Sequence, residues 1–156
     1  MLKKYAVLLR FLLPGIGGFL AIYAAAGLGG LLEASLLMAP FGASCVLAFA
    51  LPESPLAQPR NIVGGHALSA AIGLALLHTA GAHPWTAALG VALAIALMQL
   101  TRTVHPPAGA DPLVVMASGS GWGFLWTPVL GGAVLIVLVA AAYHRLCKQP
   151  YPKRWW

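Results

Sequence analysis

Apolar and polar positions alternate along the chain in long blocks, with apolar stretches parted by short breaks. Four stretches come near the roughly 20 residues that a helix needs to cross a bilayer. They are Phe11–Gly30, Ile62–Ala82, Trp85–Leu100 extending to Val104, and Phe124–Tyr143. Two more stretches are equally apolar but broken. Leu31–Pro52 has Pro40 and Gly42 in its middle, and Arg102–Gly123 has Pro106, Pro107 and Gly109 ahead of "ADPLVVMASG". The pattern predicts an all-α integral membrane helical bundle, with residues 1–156 as a single transmembrane domain.

Composition supports this class. Of 156 residues, 60% are hydrophobic and only 8% are charged, and the mean hydropathy is +0.87. So few charges cannot clothe a water-soluble domain of this size. The expected partner is the lipid bilayer. The formal charge of +6 does not signal nucleic acid, because the basic residues flank the apolar blocks and form no basic helix face with interleaved aromatics. Cys45 and Cys147 are lone cysteines with neither disulfide nor metal spacing, and no cofactor or metal is expected.

Loop charge gives the number of passages. Short cytoplasmic loops collect Lys and Arg. If both broken blocks cross, Lys3, Lys4, Arg10, Arg60, Arg102, Arg145, Lys148, Lys153 and Arg154 all share one side with both termini. If neither crosses, four spans and two re-entrant segments remain, and Arg60 and Arg102 fall on the opposite side. The rule favours six passages with cytoplasmic termini, as in a bacterial inner membrane.

A gapless shift of 67 residues sets Pro40 on Pro107, Gly42 on Gly109, Ala43 on Ala110, Gly64-Gly65 on Gly131-Gly132 and Leu68 on Leu135. This defines repeat 1 at about 11–82 and repeat 2 at about 83–144, followed by a basic tail, 145–156. Three passages per repeat would insert the second copy upside down. Inverted repeats with interrupted helices place a transporter's site near the bilayer midplane. The same shift sets Ser44 on Asp111. Both residue types are favoured helix N-caps, and Pro112 suits a first helical position. Two half-helices are therefore expected to begin at Ser44 and Asp111 and to face each other. Their N-termini would form a site for a small anion, with Pro40, Gly42, Ala43 and Ser44 on one side and Pro106, Pro107, Gly109, Ala110 and Asp111 on the other.

"HPPAGADPL", with the upstream "APFGASCVLAF" and "QPRNIVGGH", resembles the HPP family of integral membrane proteins, whose name describes His105-Pro106-Pro107. The likeness covers roughly Leu13 to Tyr143. It implies a transporter, usually described with four spanning helices, and a small inorganic anion such as nitrite as substrate.

The ionisable residues inside the apolar region are candidates for gating or proton coupling, since such groups are costly in a membrane. They are His66, His105 and Asp111, with Arg60 and Asn61 at a helix start and Arg102 as a candidate partner of Asp111. An ionised Asp111 would oppose an anion, so a cation- or proton-coupled solute transporter using Asp111 and His105 is the alternative reading. Each residue also has a structural role open to it: helix capping for Ser44 and Asp111, holding the Pro-Pro turn for His105, topology anchoring for Arg60. Gln99 and Thr103, one turn apart, are candidates for lining a polar path. His78 and His83 are expected at an interface, and Glu33 and Glu53 in loops. Without HExxH, GxSxG or paired carboxylates, no catalytic residue is assigned and an enzyme is not expected. A structural subunit would explain the glycines but not the paired broken helices. A thin bundle of this kind points to a homo-oligomer.

Overall fold

Prolines set most of the helix starts, because a proline at the first helical position lacks only an N–H that would have no partner there. The computed structural model describes residues 2–155, with side chains from Phe11 onward. Its helices are α1 (Leu2–Leu31), α2 (Pro40–Ala50), α3 (Pro59–Ala80), α4 (Pro84–Leu100), α5 (Asp111–Ser118) and α6 (Leu125–Leu146). Short 3-10 turns at Pro55–Ala57 and Pro106–Ala110 lead into α3 and α5. Pro59, Pro84 and Pro112 stand in the first turns of α3, α4 and α5. Gly81, at φ 79°, ends α3, a backbone state open to glycine at little cost.

The six helical segments and the two broken blocks thus have the predicted order. Phe11–Leu31, Pro59–Ala80 and Leu125–Leu146 are long and apolar enough to cross a bilayer. The fourth expected long run is shorter than predicted. α4 stops after 17 residues, because Thr101 and Arg102 form a turn with Arg102 at φ 59°. Within α6, Thr127 is extended at φ −134° and ψ 120°, as the residue before a proline prefers.

Packing fixes the directions. α2 lies along α6: Phe41 touches Gly132, and Phe49 meets Tyr143 edge-on. α5 lies along α3, from Asp111 opposite His66, through Pro112 against Gly73, to Trp122 stacked on His78 beyond its end. Phe41 also meets His66, and Arg60 lies with Val137 and Leu138 of α6, so α3 and α6 are antiparallel. α2 and α5 therefore leave the level of His66 in opposite directions.

Several glycines permit this closeness. A Cβ at Gly132 would strike the Phe41 ring and lie 2.6 Å from the Leu36 carbonyl oxygen, and one at Gly17 would strike Phe49. Gly29 and Gly131 are likewise close to their neighbours, whereas at Gly30 nothing lies within 4 Å of the position a Cβ would take.

Arg60, Arg102, Lys153 and Arg154 gather at one end, as the charge rule requires, because the tail folds back there. Tyr151 donates to the Ala57 carbonyl at 2.9 Å, the Lys153 amide donates to Gln58 Oε1 at 2.9 Å, and Lys153 pairs with Glu53 at 3.2 Å. The side chains of Lys3, Lys4 and Arg10 lie outside the described residues. Tyr151 is buried against the loop before α3, and burial pushes its hydroxyl above the ordinary phenol range.

Gly132→Ala is expected to destabilise the protein by about 1–3 kcal/mol through overpacking against Phe41. Gly15→Ala, where nothing lies within 4 Å, should change stability by less than about 0.5 kcal/mol. Tryptophan-fluorescence unfolding in detergent compares the two.

Candidate functional site

Four segments bring one polar side chain each to a shared position in the apolar interior. Ser44 lies one turn into α2, His66 two turns into α3, His105 just before the Pro106–Ala110 turn, and Asp111 at the first residue of α5. All four are fully buried, at 0% exposure. Ser44 Oγ lies 2.8 Å from Nε2 of His66 and 2.8 Å from Nε2 of His105. The far nitrogen of His66, Nδ1, is 2.8 Å from Asp111 Oδ2, and the far nitrogen of His105, Nδ1, is 2.8 Å from the Leu56 carbonyl oxygen. The result is an unbroken chain from Leu56 through His105, Ser44 and His66 to Asp111.

The surroundings hold this chain in place. Phe41 meets the His66 ring edge-on at 5.2 Å between centroids, and His105 does so from another side at 5.0 Å. Ser69 donates to the Ala108 carbonyl at 2.6 Å, tying the Pro106–Ala110 turn to α3. Gly65 lets His105 approach: a Cβ there would lie 2.8 Å from His105 Cβ.

Donor counting constrains the protons. A carbonyl only accepts, so His105 Nδ1 carries a hydrogen. Ser44 has one hydrogen but faces two Nε2 atoms. If both were bare, one nitrogen lone pair would face the hydroxyl oxygen without a proton between them. One of the two Nε2 atoms therefore carries a hydrogen. If it is His66 and the ring is neutral, its bare Nδ1 accepts from a protonated Asp111. Otherwise one imidazole is cationic and Asp111 is the carboxylate. With the Ser44 hydrogen directed to a ring nitrogen and Asp111 Oδ1 bare, these arrangements contain the same number of protons and have zero net charge; turning the Ser44 hydrogen to the Pro40 carbonyl at 3.3 Å leaves room for one more. Oδ1 of Asp111 is buried with no hydrogen-bond partner among the described residues.

Of the residues singled out by sequence, Ser44, His66, His105 and Asp111 converge, with Pro40 and Pro107 buried beside them. Several expectations are corrected. Ser44 is not a helix N-cap: α2 begins at Pro40, and Ser44 Oγ turns back to the Pro40 carbonyl at 3.3 Å. Asp111 is not one either, because the preceding turn continues through a helical Ala110 (φ −85°, ψ −13°), leaving its carboxyl for His66. Asp111 pairs with His66 and not with Arg102, which sits in the exposed turn after α4. Gly42, Ala43 and Pro106 are exposed, while Gly109 and Ala110 are half-buried. Gln99 also faces outward, and only Thr103 of that pair is buried. His78 and His83 are exposed as expected.

Sequence reading missed the Leu56 carbonyl, Phe41 and Ser69. It also missed His144, buried at the end of α6 with Nε2 at 2.8 Å from the Ala48 carbonyl. His144 recurs at no chemical spacing; its one signal is an ionisable residue closing an apolar helix.

Arg60 and Asn61 belong to a second feature. With Pro55, Gln58, Arg102 and Arg154 they line a polar recess of about 250 Å³. Arg60 donates to the Thr101 carbonyl at 2.7 Å and Asn61 to the Val104 carbonyl at 2.8 Å. Leu56, which holds His105, lies in the same loop as Pro55 and Gln58, so recess and buried chain are neighbours. A concavity of about 570 Å³ between α1 and α2 is apolar and rimmed by exposed Phe19 and Tyr23; lipid suits it better than a polar solute. Among the described residues no three His, Cys, Asp or Glu side chains are arranged to hold a metal ion.

Residues 4–152 match the family model described as "HPP, transmembrane region". The chain is similar to two transmembrane proteins of Dictyostelium discoideum. One is 41% identical over 133 residues, 80% of this chain and 47% of the relative. The other is 39% identical over 133 residues, 80% of this chain and 43% of the relative. The chain thus spans about half the length of these curated relatives. No solved structure matches.

Ser44→Ala leaves both Nε2 atoms without their shared partner and should cost about 1–3 kcal/mol, the penalty for unsatisfied buried polar groups. Asp111→Asn, whose amide can donate to a bare His66 Nδ1, should stay within about 1 kcal/mol of the parent by the same reasoning. Equilibrium unfolding in mixed micelles distinguishes them; equal losses would contradict the donor assignment.

Proposed function

The chain belongs to the HPP transmembrane family, and from that premise we propose that it is a transporter of a small inorganic anion, with nitrite the candidate named by the family resemblance. One observation carries the reading: four polar side chains from four segments share one buried chain of hydrogen bonds inside a membrane bundle. Ionisable groups are costly there and mark substrate or proton pathways. A purely structural bundle could fill the same volume with apolar residues at no such cost.

The arginine-lined recess supports an anion. Arg60, Arg102 and Arg154 concentrate negative charge at the mouth, as clefts lined by one sign of charge do. Asp111 does not defeat this reading, because the chain it terminates is neutral as a whole. α2 and α5 leave the level of His66 in opposite directions, which supports reading the halves as inverted repeats about the buried site. In this reading the protein is a carrier and not an enzyme, it forms a homo-oligomer in a bacterial inner membrane, and both termini are cytoplasmic beside the recess.

Uptake into liposomes holding the purified protein tests the proposal, with nitrite, formate, nitrate and chloride compared. Nitrite uptake above the protein-free rate is expected. Arg60→Gln with Arg102→Gln should slow it on the order of 10-fold at low ionic strength, and the difference should shrink in physiological salt. No anion uptake above the protein-free rate would overturn the reading.

A further inference from the structure

We propose that Ser44 is the hub of a proton relay joining His105 to Asp111, so that Asp111 can lend a proton to the anion of a weak acid within the bundle and recover it. The inference rests on the transport reading for its second half only; the relay stands on the geometry of the buried chain.

The relay follows from the three 2.8 Å links between ionisable groups. Begin with the proton on Asp111 Oδ2. It passes to Nδ1 of His66 while the proton on Nε2 of His66 passes to Ser44 Oγ. The original Ser44 proton passes to Nε2 of His105. The neutral acid and neutral His105 have become a carboxylate and an imidazolium. His66 has changed tautomer, Ser44 is again a hydroxyl, and no net charge has been created. Each link is short enough for transfer without moving a heavy atom, and every intermediate arrangement keeps all the chain's hydrogen bonds.

The two ends differ in a way that suits transport. His105 is tied to the Leu56 carbonyl, beside the arginine-lined recess. Asp111 ends in the buried, unpartnered Oδ1, an atom able to take a proton from or give one to a weak acid within the bundle. The substrate class is accordingly the anion of a weak acid, which takes the Asp111 proton while it crosses the buried site and returns it on leaving. Anions of strong acids, such as nitrate and chloride, hold no such proton and are poor substrates.

Asp111 is the sole aspartate of the chain, so aspartate labelled with ¹³C at its carboxyl reports on this residue alone. The probe is the full chain in lipid nanodiscs, read by carbon NMR. His105 does not touch Asp111, yet His105→Gln and Ser44→Ala should each shift the Asp111 carboxyl signal, because each removes a site that shares its proton. An Asp111 signal unmoved by both would overturn the relay, whatever the flux. Size-exclusion profiles like the parent's show that the variants are folded, and Asp111→Asn provides a second readout if they are not. In liposomes, the Asn variant should lose nitrite and formate uptake, down to the protein-free rate. Retained uptake would overturn Asp111 as the proton donor to the substrate. A shifted signal with no flux in any protein would support the relay and sink the transport reading alone.

Discussion

A single hydroxyl hydrogen shared between two imidazoles is the constraint from which the interior follows. Ser44 meets Nε2 of His66 and of His105 at 2.8 Å each, with all three side chains fully buried. Buried polar groups without partners are costly, so each donor in this chain must face an acceptor. That requirement fixes His105 by the Leu56 carbonyl and His66 by Asp111. It also fixes α2, α3, α5 and the turn before α5 relative to one another. Apolar packing holds the helices together, but the hydrogen bonds select one register.

The broken helices are the means of bringing these groups inside. An uninterrupted helix presents one face to the core, and its ends lie at the bilayer surfaces. Pro40 and Pro106 instead start helical segments within the bundle, where α2 and α5 set out in opposite directions. The irregular backbone ahead of them is only partly buried, with Leu36, Thr103 and His105 inside and Ser35, Leu37, Thr101 and Arg102 exposed; in the turn that follows, Ser69 pairs the Ala108 carbonyl. Gly65 and Gly73 then let the HPP turn and Pro112 press against α3.

Much of this was legible in the sequence. Proline and glycine in two apolar blocks marked the interrupted helices, and rarity within those blocks marked His66, His105 and Asp111. Ser44 was found through its alignment with Asp111, but with the wrong role. Capping is a local property and could be read from neighbours; a serine held by histidines 22 and 61 residues away is not. Asp111 failed as a cap for a related reason: the Pro106–Ala110 turn stays helical up to it, which residue preferences alone do not decide. Arg102 was paired with Asp111 because they are close in sequence, whereas the turn after α4 carries it to the opposite side of the HPP segment. Gln99 and Gly42 had suitable chemistry but lie on outward faces, and only packing assigns a face.

The most direct test of the buried chain is nitrogen NMR of the full protein in lipid, with ¹⁵N in the histidine rings and His66 and His105 assigned by substitution. Nδ1 of His105 should be protonated, and at least one of the two Nε2 atoms should carry a hydrogen. Two bare Nε2 atoms, or a bare Nδ1 on His105, would contradict the shared hydroxyl on which the whole account rests.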